Sequence, residues 1–222
     1  MGSAVSKISH DLRNILATTQ LMADRLEGSR DPIVARTAPK LIGSLDRAIR
    51  LCQSTLTYGR AEEAPPESRA VALGELAEEV IEGLGLIEEG REVTCLVDVD
   101  PETVVEADPE QLYRILANLC RNAAQAIHAS GKSGRLTVAA DVIDGKVEIS
   151  VIDTGPGLPA TAREHLFQPF RGSARRGGTG LGLAIAQAQV RANGGTLSLV
   201  ASTTTGTEFR ISLPAAAAIA AA

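Results

Sequence analysis

With 222 residues, 44% of them apolar, the chain has enough material for one good hydrophobic core and a smaller element, which predicts a soluble globular protein of one or two domains. A formal net charge of -5 and the absence of any dense Lys/Arg run argue against nucleic acid or an anionic membrane as the main partner. No stretch reaches the roughly 18 apolar residues of a membrane helix, so no membrane contact is expected of this fragment. Cys52, Cys95 and Cys120 are widely spaced in apolar surroundings, which suits buried thiols in a reducing compartment and makes the cytoplasm the default location. The opening Met-Gly-Ser reads as an expression remnant, and any membrane anchor of the full protein would lie in an upstream segment absent here.

Residues 5 to 26 place Val5, Ile8, Leu12, Ile15, Thr19, Met22 and Leu26 at spacings of three and four, the seam of a bundled helix. A turn-prone Gly28-Ser29-Arg30-Asp31-Pro32 follows, and Val34, Ala38, Leu41, Leu45, Ala48, Cys52 and Thr55 then repeat the spacing. Pro39 falls inside that second pattern, so the helix either starts near residue 38 or is kinked there. A lone hairpin of helices buries little surface, which predicts a homodimeric four-helix bundle. We place this first domain at residues 1–61, a linker rich in Glu and Pro at 62–69, and a second domain at 70–222.

In the second domain the pattern predicts a short strand near 70–73, a helix near 74–89, strands at 93–99 and 103–107, and a helix at 109–129. A hairpin of Arg135–Val142 and Lys146–Ile152 turns at Asp144-Gly145. A helix from about 180 to 193 and strands at 196–202 and 207–213 complete the chain. The fold class is α+β, with helices collected on one side of a mainly antiparallel or mixed sheet.

His10 lies almost opposite the apolar seam of the first helix, with Asn14 one turn on and Asp11 on the flank. An exposed imidazole beside a carboxylate is suited to nucleophilic attack, since the carboxylate orients the ring and accepts its proton. Asn118 and Asn122 share a helix face, and their neutral amide oxygens can complete a magnesium shell otherwise made of phosphate and water. Asp153 ends an apolar strand in Asp-Thr-Gly-Pro-Gly, where a buried carboxylate can accept from an exocyclic amine such as that of adenine, and Gly155 and Gly157 permit close approach. Gly-Gly-Thr-Gly-Leu-Gly-Leu at 177–183 opens a helix whose free N–H groups and dipole suit phosphate oxygens. Between these boxes, Phe167-Gln-Pro-Phe170 reads as an aromatic anchor and the segment from Arg171 to Gly178 as a flexible basic lid, any of whose Arg171, Arg175 or Arg176 could meet a triphosphate.

Taken in order, His-Asp-Leu-Arg-Asn at 10–14, Asn-Leu-Cys-Arg-Asn-Ala-Ala-Gln-Ala at 118–126, Asp-Thr-Gly-Pro-Gly-Leu-Pro, Phe-Gln-Pro-Phe and Gly-Thr-Gly-Leu-Gly-Leu resemble the H, N, G1, F and G2 boxes of bacterial sensor histidine kinases of the HisKA type. The Asn-Ala-Ala-Gln-Ala form is most similar to the nitrogen-regulation branch. The resemblance implies a dimerisation and histidine-phosphotransfer hairpin followed by a Bergerat-type (GHKL) α/β sandwich that binds ATP with Mg2+. It further implies that His10 accepts the phosphoryl group, Asp11 serves as base or orienting carboxylate, and Asn14 positions water for dephosphorylation of a response-regulator partner. Asn122 would hold magnesium with Asn118 alongside, and Asp153 would read adenine. Gly155, Gly157, Phe167, Phe170, Thr179, Gly180, Leu181 and Gly182 would shape the nucleotide pocket. The chain departs from the family pattern at Ile15, where proline is usual, at Gly172-Ser173-Ala174, where Thr-Thr-Lys is common, and at Gln125, where other branches have lysine.

The expected activity is therefore ATP-dependent phosphorylation of His10 and transfer to an aspartate of a response-regulator receiver domain. Two other readings of the same residues are a phosphotransfer scaffold with a vestigial ATP domain and an ATP-driven conformational machine of the wider Bergerat superfamily.

Overall fold

The computed structural model describes residues 31, 33–39, 41–42, 44, 65–85, 87–88, 91–169 and 180–216. The expected first helix at 5–26, most of the second, Cys52 and the 171–179 segment lie outside the described residues. Within the second pattern, residues 33–39 are helical. Asp31 caps them, its Oδ1 accepting from the amides of Ile33 at 2.7 Å and Val34 at 3.3 Å. The helix thus runs before Pro39, which corrects the option of a start near residue 38. Ala38 is buried, whereas Ile33 and Leu41 are 66% and 48% exposed.

The remainder is a two-stranded sheet, β1 (Arg69–Ala72) with β4 (Val104–Ala107), and a six-stranded sheet of order β2-β3-β5-β6-β8-β7. Its strands are β2 (Ile87–Glu88), β3 (Arg91–Asp98), β5 (Gly134–Ile143), β6 (Lys146–Asp153), β7 (Thr196–Thr203) and β8 (Gly206–Pro214). β3 and β5 pair in parallel and every other pair is antiparallel, so the sheet is mixed as expected. Strict alternation of buried and accessible residues along β8 shows a sheet with one covered face, against which Val147, Ile149, Val151, Phe209, Ile211 and Leu213 point. The covering helices are α1 (Leu73–Gly83), α2 (Pro109–Ser130) and α4 (Gly182–Ala192), with a five-residue α3 (Ala160–Glu164) between β6 and α4.

The sequence explains most of these boundaries. Asp108 caps α2 by accepting from the amide of Gln111 at 3.0 Å, Pro109 fills its first turn, and Gly131 ends it in the left-handed region. The β5–β6 hairpin turns on Asp144 and Gly145, both at positive φ, as a two-residue turn with that dipeptide requires. α1 stops at Gly83 rather than near residue 89. Apolar Leu84 and Ile87 prolong a helical spacing, but Gly85 takes φ 55 and breaks the ladder, and Ile87–Glu88 extend into an edge strand. The last strand closes back on the smaller sheet through a bridge between Val105 and Ala215. Among the described residues no helix is long and apolar enough to cross a membrane.

α2 supplies the middle of the core: Leu112, Ile115, Leu116, Leu119, Cys120 and Ile127 are essentially inaccessible. Each such aliphatic side chain contributes roughly 1.5–3 kcal/mol by leaving water. The Cys120 thiol, in the same layer, is pushed up to about 12 by burial, with neighbouring Cys95 adding to the shift. Because the folded value lies above the ordinary 9.0, this thiol favours the folded state fully below pH 9 and loses that contribution as pH rises towards 12. We expect Cys120 to resist alkylation in the native protein while Cys95, only half-buried, reacts slowly. We also expect a Cys120→Val variant to lose stability less steeply above pH 9, by on the order of 1 kcal/mol per pH unit. Denaturant titrations across that range, compared with the wild type, check the slope.

Candidate functional site at the middle of helix α2

Two elements, the start of α4 and the end of β6, meet the accessible side of α2, which makes the third wall. Asn118 and Asn122 lie one turn apart on it and are half-buried, their apolar neighbours having rotated into the core. The first turn of α4 comes against this side, since a Cβ added to Gly182 would stand 3.6 Å from Asn118 Oδ1. Leu181, fully buried, anchors that turn and accepts from the amide of Ile185 at 2.9 Å, while Gly180 just before it has φ 66. The N–H groups of a first helical turn have no intrahelical acceptor, so this end of α4 presents donors beside Asn118.

The second of these elements is the end of β6. Asp153 is 5% exposed, and its Oδ1 accepts from the amide of Gly155 at 2.7 Å. A Cβ on Gly155 would stand 2.7 Å from that carboxylate oxygen and 3.0 Å from Ala126 Cβ, so the glycine leaves Asp153 and α2 the room to approach each other. The loop beyond is fastened to the β7–β8 turn. Leu158 donates its amide to Ser202 Oγ at 2.8 Å, and Gly157, at φ 75, lies so close to Thr203 that any side chain would collide with its carbonyl. Gly206 approaches the Asp153 carbonyl in the same way from β8.

The structure therefore sets Gly182 against Asn118 and the Asp153–Gly155 turn against Ala126, both on α2, with Gly157 holding the loop. Phe167 lies nearby in sequence but packs on the core with Leu166, beside a cavity of about 460 Å3 that residues 163–168 and 197–199 line. Among the described residues, none of the other predicted site residues lines that cavity. His10, Asp11, Asn14, Phe170 and Thr179 lie outside the described residues. Sequence reasoning missed Ser202, Thr203 and Gly206, which hold the loop from across the sheet. It also missed Asn193, buried at the end of α4; the Asn193-Gly194 pair is a helix-stop signal whose tertiary role has no local signature.

A helix-covered sheet with an asparagine pair, a strand-end carboxylate and two glycine turns around one helix defines an ATP-binding domain of the histidine-kinase class. The chain belongs to the family of histidine kinase-, DNA gyrase B- and HSP90-like ATPases, matched over residues 107–217, and its residues 1–64 match the His Kinase A (phospho-acceptor) domain, which together make the core of a sensor histidine kinase. It is 33% identical over 220 residues to the sensor histidine kinase MtrB of Mycobacterium tuberculosis, a match covering 94% of this chain and 38% of that protein. It is 32% identical over 217 residues to the sensor histidine kinase GlrK of Escherichia coli, covering 93% of this chain and 45% of that one. Full-length ShkA, solved in complex with AMPPNP, superposes with a TM-score of 0.75 at 28% identity, covering 98% of this chain and 47% of its own. The chain thus spans less than half the length of these relatives.

Gly157 gives a direct test of this geometry. In Gly157→Ala the left-handed backbone and the Thr203 carbonyl both oppose the new methyl group, and we expect a loss of about 2 kcal/mol in unfolding free energy. Urea titration beside the wild type measures it; an unchanged midpoint would contradict the loop placement.

Proposed function

We propose that this chain is an ATP-dependent protein-histidine kinase that phosphorylates its own His10 and passes the phosphoryl group to an aspartate of a response-regulator receiver domain. The observation that carries the reading is the convergence of Asn118, Gly182 and the Asp153–Gly155 turn on α2, in a chain whose first 64 residues match a phospho-acceptor domain.

The residues present fit ATP. The Asp153 carboxylate, already oriented by the Gly155 amide, accepts from the exocyclic amine of adenine. The absence of a Cβ at Gly155 lets the Asp153 carboxylate sit close to α2 beneath the turn, and Gly157 keeps that turn in place. The phosphates would be met at the start of α4, where the positive end of the helix dipole lies beside Asn118 and the glycine-rich Thr179–Gly182 stretch opens the helix. A magnesium ion held between the phosphates and α2 would take the amide oxygen of Asn122, with Asn118 alongside, and otherwise phosphate and water. Bound there, Mg2+ neutralises charge on the phosphates. Phe167 and Phe170 would anchor the base of the 171–178 lid, from which Arg171, Arg175 or Arg176 would meet the triphosphate.

In the transfer step a ring nitrogen of His10 bonds to the γ-phosphorus while the bond from that phosphorus to the bridging oxygen breaks and ADP leaves. Asp11 holds the other ring nitrogen and takes the proton. Catalysis of this kind is positioning and charge stabilisation rather than covalent chemistry by the ATP domain. Asn14, one turn from His10, positions water for the reverse task of dephosphorylating the receiver. Exposed Ile33 and Leu41 on the second helix support a homodimer that buries them in a four-helix bundle. A free, fully buried Cys120 supports a reducing, cytoplasmic setting for this part of the protein.

Incubation with γ-labelled ATP and magnesium tests the reading. Acid-labile, base-stable label is expected on the wild type and none on His10→Gln. Asn122→Ala is expected to lose label by at least about a hundredfold while the dimer persists, as removal of a group that stabilises transferring charge does. Asn14→Ala should retain labelling and lose mainly dephosphorylation of a phosphorylated receiver. ATP hydrolysis without a phosphoprotein would instead favour a conformational ATPase, and absence of ATP binding would favour a scaffold.

A further inference from the structure

A polar knot, buried at Asn193 and exposed at Glu67, joins the interdomain linker to both helices that carry the nucleotide site. Asn193, at the C-terminal end of α4 and 6% exposed, accepts from the amide of Asp108 at 2.8 Å. Its Nδ2 donates to Gln111 Oε1 at 2.9 Å and to the Gln189 carbonyl at 2.8 Å. One carboxylate oxygen of Asp108 caps α2, and the other accepts from the amide of Glu67, in the linker, at 3.0 Å. Two fixed points therefore orient α4 antiparallel to the first half of α2: Asn193 on Gln111 at one end, and Gly182 against Asn118 at the other.

α4 is eleven residues long, about 16 Å, so a small rotation at the knot moves Gly182 relative to Asn118 and Asn122. Both amide hydrogens of Asn193 and one acceptor site of its oxygen are committed, and a buried amide that loses a partner is costly, so this joint has one favoured geometry. Asp108 adds the linker to the same joint, because its two carboxylate oxygens serve different masters, the α2 cap and the Glu67 backbone.

We propose that Asn193 is a positioning residue for nucleotide binding, setting the spacing of α4 from α2, and that Asp108 ties this spacing to the linker leading to the phospho-acceptor helices. The inference rests on the reading of α2 and α4 as the walls of the ATP site. It gives the two residues opposite kinetic signatures. Asn193→Ala frees α4, so ATP analogue binding weakens about tenfold, the scale of one buried hydrogen bond, while the rate at saturating ATP changes little. Asp108→Asn keeps an oxygen for the α2 cap, at which Asn and Asp are nearly equivalent, and gives up the carboxylate that holds Glu67. Its analogue affinity stays within about twofold of wild type, its autophosphorylation rate at saturating ATP shifts at least about threefold, and hydrogen exchange at the Glu67 amide accelerates.

The test measures, on the whole chain, binding of a non-hydrolysable ATP analogue by calorimetry, autophosphorylation kinetics, and exchange at Glu67. All are taken well below each variant's melting temperature. A folded Asn193→Ala with unchanged affinity overturns the positioning role, and an Asp108→Asn rate equal to wild type overturns the tie to the linker. If Asn193→Ala does not fold, Gln111→Ala, which removes only one of the three bonds, takes its place with the same criterion. Analogue binding by the wild type separates the two levels: with binding intact, equal behaviour of the variants defeats this inference alone, whereas a wild type that binds no analogue defeats the ATP-site reading and this inference with it.

Discussion

The structure depends above all on how α2 is packed. Its Leu and Ile stripe is driven into the sheet by the hydrophobic effect, and that burial leaves no rotational freedom about the helix axis. Since 3.6 residues make a turn, fixing Leu116 and Leu119 inward also fixes Asn118 and Asn122 on the accessible side. The core and the site are in this sense one constraint: moving the asparagines by two positions in either direction would put them at 116, 120 or 124, all of them buried, and so disrupt the stripe as well as the face. The other contributors, the start of α4 and the end of β6, are referred to this helix by close contacts in which glycine removes the atom that would hold them apart.

Much of this was legible in the sequence, because the determinants are local. Asp108-Pro109 announces the start of α2 through a cap and a ring that needs no donor, and Asp144-Gly145 announces the hairpin through two residues that tolerate positive φ. Asp153 could be placed at the buried end of a strand from the alternation of Val147, Ile149 and Val151 alone. The end of α1 was not legible, since apolar spacing continued past a glycine pair that stops the helix. The five residues of α3 are too few to show a period.

What remained hidden was tertiary. The pairing of β1 with β4 in a sheet of its own, and the contacts of Asn193 with residues 82 and 85 positions away, follow from how elements meet and leave no trace in neighbouring residues. The same holds for the approach of the β7–β8 turn to the loop after Asp153. The asparagines and glycines that chemistry requires stood out by type and spacing, whereas the groups that hold them in place are ordinary Ser, Thr and Asn residues whose significance comes from burial. The relation of this unit to His10 is likewise absent from any local pattern.

Among the described pairs only β3 and β5 run parallel, and a parallel pair cannot be joined by a tight turn. The chain between them passes through β4 and then the whole of α2. The helix that carries the asparagine pair is therefore the crossover that joins this parallel pair, and its native position is reached only when contacts some forty residues apart have formed. Such a helix cannot detach without opening the sheet beneath it. A ligand held on it would consequently draw its stabilising effect from the cooperative unfolding of the whole unit, so that occupancy should be felt as resistance to global rather than local opening.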